Sequence, residues 1–398
     1  MYSKEKLKNI VSFETGKLNS NAASEDGQYP FFTCSQKVYK TKNYKFNCEA
    51  VLLGGNNANG IYPLKYFCGK FNAYQRTYLI RSKNEKILRN RYLFYALKPE
   101  LSILQKYSSG VTTKYLTLGI LNNISVNFPI LAIQEKIASI LSAYDDLIEN
   151  NNRRIEILEE MAQTIYKEWF VHFRFPGHEK VKMVDSELGK IPEGWEIKGI
   201  LNSVYFHYID KNASRYEGKK EYFATANIEG INIVKMGEWF SFIDKPSRAQ
   251  KIPELYSVWY AKMKDSYKVL GFAEANRSIT DRCILSSGFD GFKAEKKYFP
   301  FVYFTIKSKD FHQKKNQYCT GAVQISLAKK GLKSIKIIIP SEEIILRFCS
   351  ITLPIINQIF VLQIKNDFLT KTRDLLLPKL ISGEIDVSDL DINIEEIK

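Results

Sequence analysis

Lysine, arginine, amide and hydroxyl side chains recur in loop-like stretches of this 398-residue chain. That mix suits gripping phosphates and reading polar edges better than breaking bonds. "SQKVYKTKNYK" (35–45) interleaves bases with aromatics and offers Lys40, Lys42, Tyr44 and Lys45. "GGNNANG" (54–60) presents Asn56 and Asn57 on a backbone free to turn, Arg76 follows, and "SSGVTTK" (108–114) adds Thr112, Thr113 and Lys114. Further on, "KNASRYEGKK" (211–220) carries Arg215 and Lys219, and "DKPSRAQK" (244–251) carries Ser247, Arg248 and Gln250. "EANRSITDR" (274–282) holds Arg277 and Ser278, and "LSSGF" (285–289) holds Ser286 and Ser287. Arginine and lysine match guanine edges, asparagine and glutamine match adenine, and hydroxyls and lysines hold phosphates. Each stretch alone is ordinary loop polarity. Together they point to a nucleic acid, with Arg248 and Arg277 the expected base contacts in the later group and Lys40, Lys42, Asn56 and Asn57 in the earlier one.

Competing chemistry lacks its residues. There is no G-x-x-x-x-G-K-[ST], so "GGNNANG" reads as a turn rather than a phosphate loop. No G-x-G-x-x-G follows a strand, and no N/D-P-P-Y/F appears, which argues against a self-contained amino-methyltransferase. His172, His178, His207 and His312 are dispersed, and the six cysteines show no C-x-x-C, so neither a metal site nor a disulfide framework is expected. Asp145 and Asp146 are adjacent and on a helix point about 100° apart; a solvated or partner-facing role fits them better than shared acid–base work. The formal net charge is +15. Acids outnumber bases in 134–170 and in the tail "GEIDVSDLDINIEEIK", so the positive surplus falls in 1–128 and about 191–339. A solvated basic surface is the plain reading; a polyanion partner, bound with counterion release, is the sharper one. With no run of 18 apolar residues and no apolar segment near the start, a cytoplasmic protein without a membrane span is expected.

An internal repeat organises the chain. "YSSGVTTKYLTLGILNNISVNFP" (107–129) aligns without a gap on "YCTGAVQISLAKKGLKSIKIIIP" (318–340), placing Leu121 on Leu332 and Phe128 on Ile339. "GQYPFFT" (27–33) matches "KEYFATA" (220–226) more weakly, so the second block is longer by about 18 residues. Each copy ends in strand-like alternation and then meets a helical pattern at a proline. The first helix carries Ile137, Ile140, Tyr144, Leu147, Leu158, Met161 and Ile165 at 3–4 spacing, interrupted by Asn151 and Arg154. The second carries Phe348, Ile355, Leu362, Leu369 and Leu376 on one track, and Thr352, Ile359, Asn366, Arg373 and Leu380 on the other. Such stripes need a partner, and the order block–helix–block–helix pairs them antiparallel as a spacer. At 1.5 Å per residue, ~38 residues span roughly 55–60 Å. Pro354 is expected to kink the second helix and Pro378 to end or bend it.

These features resemble the specificity (S) subunit family of type I restriction–modification systems. The resemblance rests on "NFPILAIQEKIASILSAYDDLIENNNRRIEILEEMAQTIYKEWF", "GKIPEGWEI" (189–197), "PSRAQ" (246–250), "LSSGF" and "RDLLLPKLISGEIDV" (373–387), and covers essentially the whole chain. Tyr2 stands where the tryptophan of the P-x-G-W motif would open the first block, which leaves a shortened or a variable start open. The resemblance implies an α/β (α+β) chain with two pseudo-twofold-related target recognition domains, each a twisted, mainly antiparallel sheet, separated by an antiparallel coiled coil. The expected bounds are 1–128 and 191–339 for the recognition domains, 129–172 and 340–382 for the helical spacers, 173–190 for a linker and 383–398 for an acidic tail. It implies a non-catalytic chain that binds double-stranded DNA at a bipartite, asymmetric site with two methyltransferase (M) and two motor–nuclease (R) subunits. No cofactor belongs to this chain; S-adenosylmethionine, ATP and Mg belong to those partners. The exposed helix flanks, with Asn151 and Arg154, are where M-subunit helices are expected to dock. A methylation-only subunit or an inactive scaffold would have the same sequence features.

Overall fold

The computed structural model describes residues 2–57, 62–107, 114–322 and 324–392. The chain forms two compact units, one from Met1–Ile148 with Phe368–Lys398 and the other from Glu149–Asp367. It has the mixed helix and strand content expected, with long helices at Leu131–Phe170 and Glu342–Ser382, each shared between the units.

The first unit is built on strands β1 (Ser3–Lys6), β2 (Val11–Thr15), β3 (Tyr29–Phe32), β4 (Tyr39–Thr41), β5 (Phe46–Gly54), β6 (Asn56–Asn57), β7 (Leu64–Ala73), β8 (Thr77–Ser82), β9 (Lys114–Tyr115) and β10 (Ser125–Phe128). The main sheet runs β2-β8-β5-β7-β3-β4 and is antiparallel except between β3 and β7. Its centre, β5, reads FNCEAVLLG, and the two-residue period of a strand divides those side chains between two cores. Val51 and Leu53 pack with Tyr92, Leu93 and Leu97 of the helix Asn90–Tyr107. Ala50 and Leu52 pack with Phe32 and Phe71 on the other side. Both faces are buried, so the strand's apolar run needs no polar alternation.

The second unit repeats this plan with strands β11 (Met183–Ser186), β12 (Gly189–Pro192), β13 (Glu196–Gly199), β14 (His207–Tyr208), β15 (Lys220–Phe223), β16 (Ile228–Glu229), β17 (Asn232–Ile233), β18 (Glu238–Phe240), β19 (Ala249–Lys251), β20 (Ser257–Ala261), β21 (Val269–Phe272), β22 (Cys283–Ser286), β23 (Phe289–Lys293), β24 (Cys319–Thr320), β25 (Ser326–Leu327) and β26 (Lys336–Ile339). One sheet runs β14-β23-β20-β21 and a second β18-β15-β22-β19. β20 divides like β5: Val258 and Tyr260 face the helix Phe299–Lys307, and Trp259 and Ala261 face the other core.

The repeat in the sequence is a repeat of hydrogen bonds. β1 pairs antiparallel with β10 from Ser3↔Phe128, and β13 pairs with β26 from Glu196↔Ile339. Leu7 N donates to Ile124 O at 2.8 Å, and Ile200 N to Ile335 O at 2.9 Å. Leu121 and Leu332 are both fully buried. The opening aromatics also correspond. Tyr2 lies on Gly383 past the end of the second long helix, donating its hydroxyl to Leu380 O at 3.2 Å. A Cβ at Gly383, whose φ is +81°, would stand 2.7 Å from that ring, so glycine is required twice over. Trp195 packs at 5.1 Å on Phe175 and 6.1 Å on Phe170, just past and at the end of the first long helix.

Within each unit the long helices run antiparallel. In the second, Asn151 meets Asn366 while Phe170 meets Phe348; in the first, Asp145 meets Arg373 while Lys136 reaches Ser388 O. The packed stripe differs from the expected one. Ile137 is buried and Ile140, Tyr144, Leu158 and Ile165 are half-buried, but Leu147 and Met161 are 53% and 51% exposed. Buried instead are Leu141, Ile155, Ala162 and Trp169, a seven-residue series with Asn151 also inside. Asn151 is therefore no outward interruption; Arg154 is exposed. Asp145 is likewise held inward, accepting from Arg373 and from Tyr95 Oη at 2.7 Å. On the second helix Phe348, Ile359 and Leu362 are buried and Ile355, Leu369 and Leu376 half-buried.

That helix also continues through both prolines. Pro354 and Pro378 face solvent, and burial of Phe348, Ile356, Leu377 and Leu380 around them outweighs a lost N–H worth about 3 kcal/mol. By length and composition the helix is apolar enough to cross a membrane, unlike the expectation from uninterrupted runs. Its Ile356, Ile359, Phe360 and Leu362 are instead spent on the core of the second unit.

Candidate nucleic-acid interface

In the first unit the fold gathers loops that are far apart in sequence. β6 and β9 pair, Asn56 with Tyr115 and Asn57 with Lys114, so "GGNNANG" is stitched to "SSGVTTK". Thr112 and Thr113 lie outside the described residues. Arg76, in the turn between β7 and β8, accepts at its carbonyl from Gly55 N at 2.9 Å and holds its guanidinium 5.8 Å from the centre of the exposed Tyr115 ring. Lys65 reaches the loop that follows β3, donating to Ser35 O at 2.7 Å, and burial pushes its amine down to about 8. Lys40, Lys42, Tyr44 and Lys45 form a second exposed group along the edge strand β4 and the loop after it. There Tyr44 packs on Tyr29 at 4.9 Å, with Lys70 Nζ 4.9 Å from its ring.

In the second unit Ser247, Arg248 and Gln250 meet Ser286 and Ser287 where β19 pairs with β22. Ser287 N donates to Arg248 O at 2.7 Å, and Arg248 is exposed beside Tyr222. Ala213 N donates to Gln250 O at 2.6 Å, which draws in the loop carrying the exposed Arg215 and Lys219. Beneath them Asp290 is buried, and that burial holds its carboxyl above the usual range although Lys262 Nζ lies 3.6 Å away.

Two expected contacts are placed apart from this surface group. Ser286 is only 1% exposed and its hydroxyl accepts Gly288 N at 3.0 Å, so it shapes the turn rather than meeting a phosphate. Arg277 is exposed with Ser278 on the short helix Arg277–Arg282, but its guanidinium is spent on both oxygens of Glu274, at 2.7 and 2.8 Å. That pairing holds the Glu274 carboxyl below its ordinary range. It is not gathered into the Arg248 group.

Charge pairing sorts the remaining arginines of the sheet-bearing parts. Arg81, Arg89, Arg91 and Arg282 face Glu14, Glu135, Asp146 and Glu221. Among the described residues Arg76, Arg215 and Arg248 meet no carboxylate. Lys65, Lys70, Tyr115, Tyr222 and Lys262 were not singled out by sequence, since each sits in or beside a strand and becomes part of a surface only through pairing with a distant segment.

Comparison with known proteins places this architecture. Residues 2–160 match the family described as the type I restriction modification DNA specificity domain. The specificity subunit of the type I restriction enzyme EcoDI from Escherichia coli is 33% identical over 208 residues, 48% of this chain and 46% of that one. The match thus spans about half the length of that relative. The MjaVIII specificity subunit from Methanocaldococcus jannaschii is 25% identical over 412 residues, 97% of this chain and 93% of that one. The crystal structure of the S subunit of a type I restriction–modification system from M. genitalium shares the fold, with a TM-score of 0.60 at 15% identity over 98% of this chain and 97% of that one. The chain is thus similar to the specificity subunits of type I restriction enzymes, with the family match confined to residues 2–160.

Proposed function

We propose that the two units read two unlike half-sites of double-stranded DNA, so that the whole site is bipartite and asymmetric. The observation that carries this reading is one strand frame built twice, with unlike basic and amide side chains in the corresponding loops. Lys40, Lys42, Tyr44, Lys45, Asn56, Asn57, Arg76 and Lys114 serve one half-site. Arg215, Lys219, Ser247, Arg248, Gln250 and Ser287 serve the other. Thr112 and Thr113 belong to the first group by sequence. Lysines and hydroxyls neutralise and hold phosphates, while arginines and amides meet base edges.

In this reading the chain directs two methyltransferase (M) and two motor–nuclease (R) subunits, which hold S-adenosylmethionine, ATP and Mg, and it works in the cytoplasm. Relatives named as subunits of type I restriction enzymes support such partners. The exposed apolar flanks, Leu147, Ile157 and Met161 on the first long helix and Ile351, Phe368 and Leu375 on the second, are the docking positions for M-subunit helices. Selection from a random duplex library by the chain co-purified with its cognate M subunit tests the reading. The expected product is one motif of two unlike halves separated by a fixed gap; enrichment of a single continuous motif contradicts it.

A further inference from the structure

The two units can be superposed bond by bond at the head of the main sheet. Leu116 N donates to Gly55 O and Leu327 N to Lys262 O, both at 2.9 Å. Gly55 N donates to Arg76 O and Lys262 N to Gly288 O, again both at 2.9 Å. The strand pairs beyond agree, Gly54↔Thr77 in one unit and Ala261↔Phe289 in the other. Arg76 therefore occupies the turn position that Gly288 occupies in the second unit. Gly288 has no side chain to send outward, and a Cβ there would lie 3.8 Å from Nη2 of Arg248 and 3.0 Å from Cγ2 of Thr225. Arg248, just before β19 and held there by its bond from Ser287 N, brings its guanidinium beside Gly288, the turn position from which Arg76 projects in the first unit.

We propose that Arg76 and Arg248 are the specificity-determining arginines of the two halves, each presented at the same turn of the frame but from a different segment, and each reading a guanine. Both are exposed, and among the described residues neither meets a carboxylate, in contrast to Arg277 and Arg282. A guanidinium fork matches the O6 and N7 acceptors of guanine in the major groove, and a neighbouring carboxylate would compete for the same donors. Delivery from different segments turns the fork differently, which lets one frame read unlike half-sites. This proposal rests on the DNA-reading function above.

The test uses the chain with its M subunit, in wild-type form and as Arg76→Ala, Arg76→Lys, Arg248→Ala and Arg248→Lys, against the motif selected by the wild type and its single-base variants. Arg76→Ala should lose roughly 5- to 150-fold of the preference at one G·C pair in one half, and Arg248→Ala the same in the other half. The lysine variants should keep the salt dependence of binding while losing part of the preference, because they keep charge but not the fork. Equal weakening on every sequence makes the arginines phosphate contacts and overturns the proposal; so do effects confined to the same half. A wild-type complex that selects no motif overturns the DNA-reading function and this proposal together, whereas a wild-type motif unchanged in both alanine variants overturns this proposal alone.

Discussion

Single side chains differ in whether their charge is already spent. Arg277→Ala removes a guanidinium bound to Glu274, so DNA affinity should change less than twofold; a larger, sequence-specific loss would return Arg277 to the reading surface. His312 shows the same logic inside the fold. It is 3% exposed, and burial, helped by the nearby Lys315 charge, pushes it down to about 4. The unfolded chain takes up that proton near pH 6.5, so the folded state loses stability as pH falls from about 6.5 to about 4. The contribution is about 3 kcal/mol, and His312→Gln should flatten that part of a denaturation-versus-pH profile. An unchanged profile would mean that the histidine charges freely in the fold. The segments carrying Arg248, Gln250 and Ser287 stand out in the sequence by residue type, and the fold brings them together where β19 meets β22. The placement of Ser286 and Arg277 was not legible, because nothing in a sequence says whether a hydroxyl turns inward or whether a carboxylate three residues away closes on a guanidinium.

At the scale of elements, the repeat and the helix boundaries were legible, since strand alternation and long apolar periodicities are local properties. The helix face was not. Ile157 and Met161 are apolar but outward, and Asn151 and Asp145 are polar but inward, because each polar residue finds its partner only across the helix pair. Asn151 Nδ2 donates to Asn366 Oδ1 at 2.9 Å, and Asn366 Nδ2 to Asn152 Oδ1 at 2.8 Å. A buried polar layer in a heptad stripe fixes register at some loss of stability. Asn151→Leu alone should therefore cost about 1–2 kcal/mol in chemical denaturation, leaving Asn366 Oδ1 without its donor while Asn366 Nδ2 keeps Asn152. Joining it with Asn366→Leu should recover most of that loss or more. A double variant as weak as the single ones together would show that the two asparagines act independently.

For the whole molecule, composition located the positive charge and the repeat showed two like units, but which loops converge within a unit was legible only in the fold. Asn56 and Tyr115 are neighbours solely because β6 and β9 pair. If the basic loops neutralise phosphates, the logarithm of affinity should fall linearly with the logarithm of salt, and each phosphate-contacting lysine removed from the β4 group should reduce that slope by about one. Partner docking is separable from this: Leu147→Ala with Met161→Ala should weaken co-purification of the M subunit without moving the melting temperature, and intact co-purification would place docking elsewhere. The most direct test of two unlike reading units in one subunit is single-molecule methylome sequencing of the host with and without this gene. Loss of one adenine-methylation motif with two different halves and a fixed gap is expected. An unchanged methylome, with the cognate M subunit expressed, would contradict it.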